Sequence, residues 1–184
     1  GNYILAIDGV DIKQCADIYE MLYNKADKTI ALTVNSKPEI TGSWQTLVIP
    51  VADESNLYYY EWVQKNLKLV ESATNGEVGY IHIPDMVSEG LNEFVKHFYP
   101  QLQKKVVIID DRGNGGGNVS PQILERLQRV PYRMKMHRNA TVPGTVPNET
   151  MTGAKIMLID QYSASDGDLF PYGFKKLKLG KVIG

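Results

Sequence analysis

The stretch Tyr162-Ser163-Ala164-Ser165-Asp166-Gly167-Asp168 follows the apolar run at 156–159 and opens a helical pattern over 169–179. This order predicts a strand, a tight turn and a helix. A serine on such a turn lies at the carboxyl end of a strand, and the next amide lies at the positive end of a helix. Small residues two before and two after Ser165 let the chain bend sharply there. The stretch fits a nucleophilic serine, and it also fits a helix cap made by Ser165, Asp166 and Asp168.

A second loop, Asp110-Asp111-Arg112-Gly113-Asn114-Gly115-Gly116-Gly117-Asn118, follows another buried-type run at 106–109. In an open α/β sheet, loops at the carboxyl ends of strands converge on one crevice. The amides of the glycine loop could therefore face whatever Ser165 attacks, as an oxyanion hole does. Such amides also cradle phosphates. However, Asn118 stands where the dinucleotide pattern needs glycine, and no Gly-Lys-Ser/Thr follows. A nucleotide-binding α/β domain is therefore the weaker alternative.

The two loops together carry a family resemblance. Asp-x-Arg-x-Asn-x-Gly-Gly at 110–117, followed by Ser-Ala-Ser-Asp-Gly-Asp at 163–168, resembles the tricorn and C-terminal processing serine peptidases, and the tricorn branch most closely. The resemblance implies that Ser165 is the nucleophile. It also implies that the backbone amides of Gly116 and Asp166 form the oxyanion hole.

Other residues of the glycine loop are expected to support it. We assign this role to Arg112, Gly115 and Gly117, and we interpret Arg112 and Asp111 as a pair that anchors the loop. Asp166 and Asp168 alone lack the spacing of a calcium or zinc site, so we expect neither a metal nor another cofactor.

The alternation of strands and helices from residue 79 onwards predicts an α/β class. The family resemblance implies a ClpP/crotonase-like βαβ core at 77–184, incomplete at its C-terminal end. Residues 1–50 predict strands with one short helix and resemble part of a PDZ module, which captures peptides by strand addition. Residues 51–76 predict a linking helix. The Pro- and Gly-containing segment 139–151 is expected to be a long surface loop.

The composition of the chain limits the classes of binding partner that we expect. The chain has 184 residues, 43% of them hydrophobic, and 20 basic residues against 21 acidic ones. A net charge of -1 gives no reason to expect nucleic acid as a partner, and no apolar run approaches the length of a membrane span. The single Cys15 excludes an internal disulfide framework. The resemblance implies peptide or unfolded-protein substrates and a homo-oligomer; it suggests the cytoplasm and leaves the periplasm open.

A serine hydroxyl needs a base to act as a nucleophile at neutral pH. None of the three histidines, His82, His97 and His137, has an evident acidic partner in the sequence, and the lysines near Ser165 are expected to be solvated. In the family, the base and its orienting acid lie in segments beyond these residues. We therefore expect a serine endopeptidase whose base comes from outside this chain. A catalytically inactive PDZ-containing scaffold or peptide-binding module is the main alternative.

Overall fold

The computed structural model describes residues 1–184, which divide into two compact units, Gly1–Tyr59 and Tyr60–Gly184. The first unit holds a four-stranded sheet in the order β2-β1-β3-β4. Its elements are β1 (Tyr3–Ile7), β2 (Val10–Asp11), a 3-10 turn (Ile12–Gln14), helix α1 (Ile18–Leu22), β3 (Ile30–Asn35) and β4 (Trp44–Val48). All three pairings in this sheet are antiparallel.

Helix α2 (Ser55–Ala73) crosses the boundary between the two units. From Tyr60 onwards it belongs to the second unit, where Val63 is buried and Asn66 donates a hydrogen bond to the Tyr80 hydroxyl. The predicted linking helix is therefore present, and its second part packs within the α/β unit.

The second unit is built on a parallel sheet in the order β10-β9-β6-β5. Its elements are β5 (Val78–His82), α3 (Ser88–Phe98), a 3-10 turn (Tyr99–Gln101), β6 (Val106–Asp110), α4 (Ser120–Leu127), β7 (Arg133–Lys135), β8 (Gly144–Val146), β9 (Ala154–Leu158), α5 (Asp166–Lys176) and β10 (Gly180–Ile183). A helix lies between each pair of consecutive parallel strands, as parallel connections require.

The core of this unit forms where the apolar sides of the helices meet the sheet. Helix α3 buries Phe94 and Phe98, which stack on each other with ring centroids 4.7 Å apart. The largest fully buried side chains come from strands, helices and loops alike, namely Ile81, Ile83, Met86, Phe94, Phe98, Val107, Ile109, Ile123, Leu127, Met157, Phe170 and Phe174. Burial of so many large apolar groups holds the strand ends, and thus both loops, in fixed positions.

The predicted α/β class, with a parallel βαβ core after a β-rich unit, is confirmed. The expectation of one long surface loop over 139–151 was wrong in part, because Gly144–Val146 forms strand β8 and pairs antiparallel with β7. Helix α5 begins at Asp166, three residues before the predicted helical pattern at 169–179. The structure contains no helix that is both long enough and apolar enough to span a membrane.

Candidate active site

Two loops leave neighbouring strands at the same edge of the parallel sheet. Asp110 pairs with Leu158 at the ends of β6 and β9, and the Asp111 amide then donates to the Leu158 carbonyl, 2.9 Å away. The glycine loop runs from the end of β6 to helix α4, and the serine turn runs from the end of β9 to helix α5. The predicted convergence of the two loops is therefore observed.

Hydrogen bonds tie the serine turn to the glycine loop. The Ser163 hydroxyl donates to the Asp111 carbonyl at 2.8 Å, and the Ala164 amide donates to the Asn114 carbonyl at 3.0 Å. One further link involves Ser120, whose amide and hydroxyl both donate to the Asp166 carboxylate, at 3.0 and 2.5 Å. Asp166 therefore caps helix α4 instead of its own helix, which joins the starts of the two helices.

Ser165 has an uncommon backbone conformation, with φ 55° and ψ -120°. A residue with a Cβ atom is held in such a sparsely populated region only at a cost of about 1–3 kcal/mol. Ser165 occupies the N-cap position of α5, but its side chain makes no capping hydrogen bond. The residue is exposed. The strained conformation is therefore not used to cap the helix with the Ser165 side chain. It leaves the Ser165 hydroxyl free on a sharp turn.

Gly116 lies directly against this turn. A Cβ atom built on Gly116 would lie 2.6 Å from the Ala164 carbonyl oxygen, 2.9 Å from Ser165 Cβ and 3.3 Å from the Asp166 nitrogen. The residue also has a φ of +83°, which glycine adopts without strain. Only glycine fits this close approach without displacing the serine turn.

The Gly116 amide, however, is already occupied. It donates to the side-chain oxygen of Asn114 at 2.8 Å, and both groups are buried. Our expectation that this amide faces the oxyanion conflicts with that bond, since an N–H held by a buried acceptor is not available to a substrate. Gly116 supplies the close contact, and its own amide is not free.

Gly117 provides the free amide of the glycine loop. Every backbone amide from residue 112 to residue 120 donates to an acceptor within the protein, except that of Gly117. On the serine turn, the amide of Asp166 likewise has no acceptor, while the Gly167 amide donates to Ala164. The unpaired N–H groups of Gly117 and Asp166, like that of Ser165, thus belong to residues at or next to the contact between Gly116 and Ser165.

The ion pair that anchors the glycine loop is not the Arg112–Asp111 pair that we interpreted from the sequence. Arg112 forms a two-pronged ion pair with Asp110, with Nε to Oδ1 at 2.8 Å and Nη2 to Oδ2 at 2.6 Å. Tyr80 adds a hydrogen bond to the same buried carboxylate at 2.7 Å. Burial acts to raise the pKa of Asp110, but the hydrogen bonds from Arg112 and Tyr80 outweigh it and lower the pKa. The predicted supporting role of Arg112 thus has a structural basis, with a different partner.

Asp111 is fully buried and bonds instead to Asn114, whose Nδ2 lies 2.9 Å from Oδ1 of Asp111. Burial raises the pKa of Asp111 to about 8 against the opposing effect of the Asn114 bond, and the charges of Asp110, Asp168 and Asp160 add to the rise. The carboxyl group of Asp111 is therefore mainly neutral at pH 7. Gly115 also holds the loop in place, since its amide donates to the Pro84 carbonyl at 2.9 Å.

The three histidines differ in burial and in the groups that they contact. His82 is buried, its Nε2 lies 3.1 Å from the Arg112 carbonyl and its ring contacts Trp62 edge-on; burial lowers its pKa. His97 lies 3.3 Å from Glu93, an acidic partner at i,i+4 that we had not expected, although the pair lacks hydrogen-bond geometry. His137 is exposed. No group of three or more His, Cys, Asp or Glu side chains is placed to hold a metal ion.

Sequence reasoning missed two residues of this site, Asn114 and Ser120. Asn114 was part of the quoted motif and was given no role, although an amide side chain among glycines is a signal for loop anchoring. Ser120 lies just beyond the glycine loop and is given no role by the sequence analysis. Its pairing with Asp166, 46 residues away, leaves no local signal in the sequence.

Comparison with known families agrees with this geometry. The model described as peptidase family S41 matches residues 77–184, which is more than half of the chain. The chain belongs to peptidase family S41. A second model, described as the tricorn protease PDZ domain, matches residues 1–53. The suspected family resemblance is therefore confirmed.

Individual relatives of this S41 chain carry the name tricorn protease. The chain is 38% identical to the tricorn protease of Thermoplasma volcanium and 36% identical to that of Thermoplasma acidophilum, in each case over its whole length. A crystal structure of the tricorn protease superposes with a TM-score of 0.87 at 34% identity, again over the whole chain. The chain spans 17% or 18% of the length of each of these three proteins.

Proposed function

We propose that this S41 chain carries the nucleophile and the oxyanion site of a serine endopeptidase that cleaves peptides or unfolded polypeptides. The observation that carries the proposal is the strained, uncapped and exposed Ser165 at a strand-turn-helix junction beside two unpaired amides. This arrangement suits acyl transfer, because a hydroxyl attacks the carbonyl carbon while N–H groups stabilise the negative oxygen. The relatives to which the chain is similar are named tricorn protease, and a protease cleaves peptide bonds.

In the proposed reaction, Ser165 Oγ bonds to the scissile carbonyl carbon, and the hydroxyl proton passes to a general base. The carbonyl oxygen becomes an oxyanion held by the amides of Asp166 and Gly117. Collapse of this intermediate breaks the carbon–nitrogen bond and returns the proton to the leaving amine, and water then hydrolyses the acyl-enzyme. The Asp166 amide also lies in the first turn of α5, where the helix dipole favours negative charge.

The base and its orienting acid are proposed to come from outside these residues. The Ser165 hydroxyl forms no hydrogen bond within the chain, and the lysines that follow it, Lys175, Lys176, Lys178 and Lys181, are all exposed. Neighbouring copies of the chain in a homo-oligomer, or other parts of a longer chain, are the two sources we consider. The inactive scaffold is the competing function.

The experiment compares Ser165→Ala with Ser163→Ala in the full-length protein, by which we mean these 184 residues together with the rest of the longer chain. The substrates are an internally quenched peptide and an unfolded protein. Ser165→Ala is expected to lower turnover by at least about a thousandfold, the scale of losing a triad nucleophile. Ser163→Ala should keep most of the turnover, because that hydroxyl is used for the bond to Asp111. Equal losses from both variants, or full activity without Ser165, would refute the assignment. A folded full-length wild type that cleaves neither substrate would favour the scaffold.

A further inference from the structure

The Asn114 side chain makes three hydrogen bonds, and the proposed reaction gives it no role. It is completely buried. Its Oδ1 accepts the Gly116 amide at 2.8 Å, and its Nδ2 donates to the Ile83 carbonyl at 3.0 Å and to Asp111 at 2.9 Å. Its own carbonyl accepts the Ala164 amide at 3.0 Å. One residue therefore contacts the glycine loop, the end of β5 and the serine turn.

The bond to Asn114 occupies the Gly116 amide and fixes the peptide that precedes Gly116. A run of three glycines has little intrinsic preference for one peptide orientation. With the Gly116 N–H on Asn114 Oδ1, the orientation of the peptide between residues 115 and 116 is set. The next peptide, which carries the Gly117 N–H, is held at its Gly116 carbonyl by the Met86 amide at 2.8 Å, and its N–H has no acceptor. If the Oδ1 acceptor were lost, the buried Gly116 N–H would be left unpaired, which is unfavourable, so its peptide would turn toward another acceptor.

The bond to Ala164 fixes the second half of the site. Ala164 directly precedes Ser165, and its amide is held by the same residue that orients Gly116. The start of α5 also packs closely here, since a Cβ on Gly167 would lie 2.8 Å from the Asn114 carbonyl oxygen. The spacing between the Gly117 amide and the Asp166 amide thus depends on Asn114.

We propose that Asn114 is the positioning residue of the oxyanion site: its side chain holds the Gly116 amide and its main chain holds the serine turn, so that the amides of Gly117 and Asp166 point at one oxygen. This inference rests on the proposed peptidase function. Asn114 contacts no substrate and acts through the two amides. Its removal should therefore lower the stabilisation of the transition state more than the binding of the substrate.

The test uses the full-length protein with Asn114→Ala, Asn114→Asp and the matched control Asn118→Asp. Asn118 lies in the same loop, is exposed and makes no side-chain hydrogen bond. Asn114→Ala is expected to lower kcat about a hundredfold, the scale of losing one oxyanion donor, with KM changed less than about threefold. Asn118→Asp should stay near wild type. Thermal melting identifies the variants that fold.

Asn114→Asp supplies a pH-dependent readout that a purely structural role would not give. The new carboxyl keeps an acceptor for the Gly116 amide but replaces the donor to Asp111 by a second acid. At low pH a shared proton can restore that hydrogen bond, whereas at high pH both acids ionise and repel each other. Asp110, Asp160 and Asp168 add negative charge around this pair and favour the protonated state.

The ratio of kcat for Asn114→Asp to kcat for wild type is therefore expected to fall as pH rises from about 6 to 9. A flat ratio, or kcat of folded Asn114→Ala within about threefold of the Asn118→Asp control, would overturn the inference. Should Asn114→Ala fail to fold, the isosteric Asn114→Asp variant decides the question by its pH profile. Ser165→Ala in the same assay separates this failure from failure of the proposed function, since it tests the nucleophile alone.

Discussion

Replacing Gly116 by alanine tests whether the glycine loop must lie so close to the serine turn. The new Cβ would lie 2.6 Å from the Ala164 carbonyl oxygen, whereas carbon–oxygen contacts ordinarily begin at about 3.3 Å. The turn carrying Ser165 must therefore move away by about 0.7 Å, the difference between these two distances. A misplacement of about 1 Å at a reacting centre can reduce the rate by about a hundredfold. We expect Gly116→Ala to lower kcat by roughly thirtyfold to a hundredfold.

The matched control is Gly113→Ala. Gly113 also has a positive φ, +69° against +83° for Gly116, but no atom lies within 4 Å of its added Cβ. Both variants therefore incur a similar left-handed backbone cost, about 1–2 kcal/mol, and only Gly116→Ala adds the collision. The assay is kcat on a fluorogenic peptide with the full-length protein, together with the melting temperature of each variant. Folded Gly116→Ala with a kcat within threefold of Gly113→Ala would refute the reasoning.

Two further predictions concern the buried carboxyl group of Asp111 and the source of the general base. Asp111→Asn removes a carboxyl whose pKa burial raises to about 8. Stability linked to such a group is fully present below the unfolded pKa, about 3.9, and is lost as pH rises toward 8, so the melting temperature of the variant relative to wild type should increase from pH 5 to pH 8. A constant difference would contradict the neutral buried state. The isolated 184-residue segment, shown to be folded by circular dichroism, should react with a fluorophosphonate at least about a thousandfold more slowly than the full-length protein. Fast stoichiometric labelling of the segment would point to one of its own histidines as the base.

Much of the second unit could be predicted from local patterns. Short apolar runs at 106–109 and 156–159 identify β6 and β9, because a strand buried in a parallel sheet has a continuous apolar run. The serine turn was recognisable because small residues surround Ser165 at the junction of a strand and a helix. Strand β8 was missed because the proline- and glycine-containing segment lacks the alternation of a strand, and pairing with β7 supplies its hydrogen bonds.

The details of the site depended on geometry that residue order does not reveal. Arg112 pairs with Asp110 and not with Asp111 because the chain turns after β6, so that the Asp110 carboxylate accepts both the Arg112 amide and the Arg112 guanidinium. The amide of Gly116 is occupied because the chain folds back on Asn114, two residues earlier. The proposal of Gly117 instead of Gly116 as oxyanion donor therefore rests on one side-chain acceptor, which the glycine-rich motif alone does not indicate.

The central claim is that Ser165 is the nucleophile, and site-resolved labelling of the full-length protein tests it most directly. A fluorophosphonate forms a stable covalent bond with an activated serine, and mass spectrometry of the peptides identifies the modified residue. The account predicts one phosphonyl group per chain, on Ser165, and none in Ser165→Ala. Modification of Ser163 or of another serine, or undiminished labelling of Ser165→Ala, would contradict it.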